Sequence, residues 1–331
     1  MTSKERVCAV LDYKKPDRVP VEIGALPAVH ERYGDRLQSL IDRRDVDIVC
    51  APRNDPTEDK LMYEVGVHTD LWGSRWESVC RGMAGEVKGY PLEDDDAIAG
   101  YQSPTHLFLE AHPSSFFNDT IAFARQNKDK FIRAGWIRFF EQMQFLRGTE
   151  NLFCDIAWES DEFFAIRDIV LEYELTYAKI VSSAPGVDAI VVGDDWGSQR
   201  SLLISLESWR KLFKPGYQQI IDTIHKNGKK VFFHSDGYIL DLYKDLIDMG
   251  IDAINSQIWC MGPEKVAEKI QGRIALWGEL NRQSTLPFGT KEDILREIAV
   301  MKEVFGDRLI GQFEAGADVP LENIETALFG W

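Results

Sequence analysis

The sequence predicts an α/β fold, a (βα)8 or TIM barrel built by one domain over residues 1–331, with a β-hairpin inserted after strand two. Three observations predict it. Eight short runs of β-forming residues occur along the chain. In the second half they alternate with helical stretches, most of ten or more residues, which is the rhythm of a parallel sheet covered by helices. No glycine fingerprint of dinucleotide binding follows any strand, and no linker or low-complexity segment divides the chain, so a closed barrel is favoured over an open doubly wound sheet.

The elements follow in order. Residues 3–13 read as a short helix opened by Ser3, and Pro16 closes that region. Val19–Ile23 is a first strand, with Pro20 tolerated near its start. A loop and a helix over about 28–43 lead to a second strand, Val46–Cys50. Residues 55–100 break the pattern: the partly alternating run Leu71–Val79 is answered by Glu86–Leu92 across a glycine-rich turn, a hairpin signature over about 70–92. Asp94, Asp95 and Asp96 read as a solvated loop or helix start, without the spacing of a calcium loop. A helix over 118–130 precedes strand three, Phe131–Trp136, and helices cover 138–147 and 160–183. Strands four to eight are Ala189–Gly193, Val231–His234, Ala253–Gln257, Ile274–Gly278 and Leu309–Phe313. The helices between them are 206–226, 238–249, 263–270 and 290–304.

Bulk composition narrows the function. With 44% apolar residues the chain can fill a full core. A net charge of −16 argues against nucleic acid as a partner, because phosphate binding needs a basic footprint. Five scattered cysteines without a CxxC pair suit free thiols in a reducing compartment. The first twenty residues lack a signal-peptide pattern, and no run approaches the ~20 apolar residues of a membrane span, so the expected location is cytoplasmic. A homodimer is compatible with the sequence.

The chemistry concentrates where strands end, which in a barrel is where active sites lie. Strand four runs into Asp194-Asp195-Trp196, and strand five into His234-Ser235-Asp236-Gly237. Strand six reaches Asn255-Ser256-Gln257, strand seven Glu279 to Gln283, and strand eight Glu314. Carboxylates gathered at one mouth are costly to bury and imply a use. His234 and Asp236 are two apart, on the same side of an extended chain. With Glu279 and Glu314 they form a candidate metal set, since zinc accepts His nitrogen and carboxylate oxygen. A hydrogen-bonded polar layer with a neutral His234, or acid–base use of the same carboxylates, fits the residue types as well. Tryptophans stand near these ends, and Trp136, Trp196 and Trp277 with Gln257 are the candidates for holding substrate. Ordinary core packing is the alternative for each tryptophan.

Several stretches are characteristic together: DRVPVEI, GDDWGSQRSLLIS, the helix 206–226 with its His225, VFFHSDGYI, DAINSQIWC, ALWGELNRQ and FEAGADVPLENI. In this order, over nearly the whole chain, they resemble the uroporphyrinogen decarboxylase-like superfamily. The resemblance implies a (βα)8 barrel and one of two activities: cofactor-free decarboxylation of uroporphyrinogen, or zinc-dependent methyl transfer involving a corrinoid protein. Decarboxylases carry an arginine-rich segment after strand one, where this chain reads GALPAVHERYG. Methyltransferases acting on coenzyme M bind zinc through a His-x-Cys pair after strand five and a Cys near the end of strand eight. Here those positions hold His234, Asp236 and Phe313, with Glu314 adjacent. A thiolate site has become a harder His/carboxylate site, suited to an ether or hydroxyl oxygen rather than a thiol.

The resemblance therefore implies a methyltransferase that moves a methyl group from a small methylated donor, of methoxylated aromatic type, to cobalamin carried by a partner corrinoid protein. Zinc would be bound by His234 and Glu314 with Glu279 or Asp236. Asp194 or Asp195 would supply a proton, and Trp136 and Trp196 would hold the ring. The competing readings are a metal-free decarboxylase of a small acid, anchored by Arg75, Arg133 or Arg200, and a binding protein on a barrel scaffold.

Overall fold

The structure is a computed structural model that describes residues 1–53, 56–57, 59, 61–110 and 117–331. Of the segment expected to interrupt the α/β pattern, residues 55, 58 and 60 lie outside the described residues. Eight parallel strands form one sheet: β1 (Val21–Ala25), β2 (Ile48–Cys50), β6 (Phe131–Ile137), β7 (Ala189–Gly193), β8 (Lys230–Ser235), β9 (Ala253–Ser256), β10 (Ala275–Glu279) and β11 (Leu309–Ala315). The hydrogen-bonded order is β1-β11-β10-β9-β8-β7-β6-β2. The barrel comes nearly full circle where Asp47, just before β2, bonds to Val21 of β1 through both its backbone N–H and its carboxylate, each at 2.8 Å.

That two-point clamp recurs. Asp188 before β7 grips Ile132 of β6, and Asp252 before β9 grips Val231 of β8, again through backbone N–H and carboxylate. The three aspartates sit in matching contexts, Val46-Asp47-Ile48, Val187-Asp188-Ala189 and Ile251-Asp252-Ala253. Each of these amides lies within the first two residues of its strand, and the carboxylate supplies its acceptor. Cations neutralise each: Arg6 and Arg18 on Asp47, Lys4 on Asp188, Lys230 on Asp252.

Side chains alternate along the strands between two cores. Ile48, Phe131, Val191, Phe232, Trp277 and Ile310 fill the barrel, and Val7, Val10 and Leu11 of the helix Ser3–Leu11 close its N-terminal end. The residues facing the other way pack beneath the surrounding helices.

The insertion after β2 is larger than a two-stranded hairpin. Strands β3 (Gly66–Thr69), β4 (Arg75–Ser78) and β5 (Glu86–Gly89) form a three-stranded antiparallel sheet. β3 escapes notice in the sequence because Gly66-Val67-His68-Thr69 buries almost nothing and shows no apolar alternation. The expected helix 28–43 is two, Pro27–Tyr33 and Asp35–Arg44, broken at Gly34 with φ 47°. The expected 206–226 also divides, with Pro215 in the first turn of the second helix. Among the described residues no helix is long and apolar enough to cross a membrane.

Candidate active site

The C-terminal ends of the strands and the inserted sheet enclose a cavity of about 840 Å³. Trp136, Glu141, Asp195, His234, Arg282 and Glu314 line its barrel side, and Met62, Tyr63, Trp76 and Tyr90 its insertion side. His234 is the last inward-facing residue of β8. Its neighbour Asn255 on β9 donates from Nδ2 to Trp277 O (2.7 Å) and to Gln312 Oε1 (3.1 Å), so the Asn255 Oδ1 is the acceptor facing His234 Nδ1 at 2.5 Å. The proton therefore sits on Nδ1, and Nε2 is left for the cavity. Nε2 stands 3.7 Å from Asp195 Oδ1 and 3.5 Å from Asp236 Oδ1.

Asp195, His234 and Asp236 each offer a ligand atom, all within 4.8 Å of one another. One nitrogen and two carboxylate oxygens, with Asp195 and His234 at the cavity wall, fit a catalytic zinc site, which takes three protein ligands and keeps a position open. The two loops that carry the aspartates are stitched together. The backbone N–H of Asp236 donates to Asp195 Oδ1 at 2.8 Å, and that of Trp196 to Ser235 Oγ at 3.0 Å. Gly237, at φ 76°, lies against the backbone of Gly197 so closely that a side chain would overlap it. The His-Ser-Asp-Gly order thus has a local reason at every position.

Glu279 and Glu314 have another partner. Arg282 reaches into the carboxylates, 3.4 Å from each of these two and in direct contact with Asp236. Burial disfavours its charge, but Glu279, Asp236 and Glu314 outweigh that and hold it protonated. Burial pushes Glu279 up to about 7, and its Oε2 has no hydrogen-bond partner among the described residues. His234 titrates higher than usual: burial opposes its charge, and Asp236 and Asp195 more than compensate. Burial, with Asp236 beside it, raises Asp195.

Trp136 reaches this site through a bulge. The β6–β7 register shifts between Ala134 and Ile137, with Gly135 at φ 71°. Its ring lies 5.4 Å from that of His234 and rests on Gly193, where a Cβ would stand 2.6 Å from Cζ2.

Other expected residues stand elsewhere. Asp194 points away from the barrel and accepts four hydrogen bonds, from the backbone N–H groups of Phe139, Phe140 and Glu141 and from Tyr217 Oη. It caps the N-terminus of the helix Phe139–Arg147 and does not line the cavity. Trp196 is fully buried, stacked on Phe140 at 4.0 Å with its Nε1 donating to Tyr217. Trp277 lies inside the barrel with its Nε1 on Glu22. Gln257 lines a smaller cavity of about 180 Å³ beside Cys260, Glu279 and Arg282. His225 pairs with Asp252 on the opposite rim. Arg133 faces the main cavity but is bound to Glu22, and Arg75 to Glu77.

The sequence reading did not select Glu141 or Arg282. Burial, with Asp195 and Asp194 nearby, pushes Glu141 up to about 8. Arg282, three residues past Glu279 in a segment dense with polar groups, carried a signal that went unused. Glu141 carried none, because it sits in a helical stretch.

The description uroporphyrinogen decarboxylase (URO-D) belongs to the family whose sequence pattern matches residues 140–326. No curated protein sequence matches the chain. Among solved structures, a methyltransferase from Methanosarcina mazei superposes with a TM-score of 0.74 at 19% identity, covering 100% of this chain and 98% of its own. An intracellular xylanase from Thermoanaerobacterium saccharolyticum reaches a TM-score of 0.44 at 12% identity, covering 94% of this chain and 89% of its own.

Proposed function

The chain belongs to the uroporphyrinogen decarboxylase family, and from that premise we propose that it is a methyltransferase taking a methyl group from a methoxylated aromatic donor to cob(I)alamin on a partner corrinoid protein. The observation that carries the reading is the donor set Asp195, His234 and Asp236, which is hard and thiol-free and of which Asp195 and His234 line a cavity of about 840 Å³. These residues would hold zinc. When bound, zinc supplies Lewis-acid polarisation of the ether oxygen and offsets charge developing on the leaving phenolate.

The chain's own groups do the rest. Asn255 keeps His234 in one tautomer. Arg282, in contact with Asp236 and 3.4 Å from both Glu279 and Glu314, balances the negative charge gathered beside His234. Trp136 offers a ring face beside His234 for an aromatic donor. Glu141 retains a proton near neutral pH and can pass it to the phenolate oxygen. Of the three arginines expected to anchor a small acid in the decarboxylase alternative, Arg133 is bound to Glu22 and Arg75 to Glu77.

The test is methyl transfer from a methoxylated aromatic to free cob(I)alamin, followed by the cobalamin spectrum, with zinc content measured on the same preparation. We expect about one zinc per chain, lost with the activity in His234→Ala. Full activity in His234→Ala, or a protein that takes up no zinc, would sink the reading.

A further inference from the structure

A second cavity of about 500 Å³ lies behind Trp136, between the inserted sheet and the helix Asp161–Ser182. Trp72, Trp76, Trp136, Tyr173 and Tyr177 give it an aromatic wall. It shares Arg53, Met62, Tyr63, Trp76, Trp136 and Arg138 with the main cavity, so the two adjoin.

Two of its lining residues are unusual. Gln142 and Glu174 are more than nine-tenths buried, and Gln142 Nε2 and Glu174 Oε2 have no hydrogen-bond partner among the described residues. Leaving such a group unsatisfied carries a desolvation penalty that a ligand removes. The other Glu174 oxygen accepts from the backbone N–H of Arg138 at 3.3 Å, and the Arg138 guanidinium is only loosely held by Glu141, at 3.9 Å. The two aspartates of the wall are spent. Asp59 pairs with His68, and Asp70 accepts from Trp76 Nε1 and from the backbone N–H groups of Trp72 and Ser74. Burial pushes Glu174 up to about 8, so its carboxyl presents a proton rather than a charge at neutral pH. Gln142, Glu174 and Arg138 are thus all donors, set among aromatic rings.

We propose that this side cavity is a binding subsite for an aromatic carboxylate, its ring held by the tryptophan and tyrosine wall and its carboxylate accepting hydrogen bonds from Gln142, Glu174 and Arg138. The subsite adjoins the main cavity at Trp136. The inference rests on the methyltransferase reading for the aromatic carboxylate's role as methyl donor, and not for its binding.

The probe is benzoate, titrated calorimetrically into metal-free protein without any corrinoid, with benzyl alcohol as the uncharged comparison. Benzoate should bind at least about tenfold more tightly than benzyl alcohol. Gln142→Leu and Glu174→Leu should each weaken benzoate by about tenfold. Glu174→Gln keeps a donor at that position and should stay near wild type, whereas a role for Glu174 as an anion predicts loss. Thermal melts identify any variant that fails to fold, and the wild-type comparison and Glu174→Gln then carry the decision. Equal binding of the two probes overturns the proposal. So does benzoate binding that survives Gln142→Leu in folded protein but disappears in His234→Ala, which would place it at the Asp195–His234–Asp236 group. Absence of methyl transfer in the cobalamin assay leaves this result standing, so the two readings fail separately.

Discussion

At the residue scale, the site depends on which atom of each polar side chain is already committed. His234 contributes a free Nε2 because Asn255 occupies Nδ1, and Asn255 is itself oriented by the carbonyl of Trp277. Replacing Asn255 with leucine removes that orientation while leaving every proposed ligand in place. We expect metal affinity in Asn255→Leu to fall about 10–100-fold, measured by competition with a chromophoric chelator. Unchanged affinity would mean that the imidazole is oriented by something else. The same bookkeeping reassigns Asp194 and Asp195. They are adjacent in sequence and carry the same group, yet Asp194 spends its oxygens on a helix N-terminus while Asp195 faces His234. The two lie just past β7, and their separate backbone settings send one side chain to the helix N-terminus and the other toward His234.

At the element scale, the aspartates ahead of β2, β7 and β9 act as a repeated strand clamp. Asp252 is the most testable, since Lys230 and His225 also converge on it. Asp252→Ala should lower stability by about 1–3 kcal/mol in urea unfolding, because the Val231 N–H loses its acceptor. Burial works against the Asp252 charge, but hydrogen bonds from His225, Val231 and Lys230 win and its folded pKa is depressed. A depressed carboxylate contributes stability that is fully present above its unfolded value, about 3.9, and is lost as pH falls through the folded value. The gap between wild type and Asp252→Ala should therefore be constant near neutrality and shrink below about pH 4. A gap that widens on acidification would contradict the assignment.

At the scale of the whole molecule, the barrel is closed below by the helix Ser3–Leu11 and walled above by the inserted sheet. Truncating the lower closure should be felt through the entire barrel, because Leu11 packs with residues from several strands. We expect Leu11→Ala to cost about 2–4 kcal/mol in a single cooperative transition. A small loss confined to local amide exchange near the N-terminus would show that the helix is merely attached. The insertion has a different part. It adds no barrel strand, but contributes Trp76 to both cavities and so determines the size and aromatic character of the space above His234.

Much of this architecture was written in local pattern. The eight apolar runs, their separation by helices and the polar residues at their ends required only period and propensity to read. His234, Asp236 and the absence of cysteine beside them were equally plain, because same-side placement two residues apart is a property of any extended chain. The sequence by itself therefore determined the barrel, its catalytic end and the hard character of the donor set. Only the tertiary structure brings Asp195 and Asp236 beside His234, sets Arg282 against Asp236, Glu279 and Glu314, buries Trp196 while Trp136 faces the cavity, and puts Gln142 and Glu174 in one pocket. Those outcomes turn on a β-bulge, on loop-to-loop hydrogen bonds and on contacts between residues far apart in the chain, none of which has a local signature.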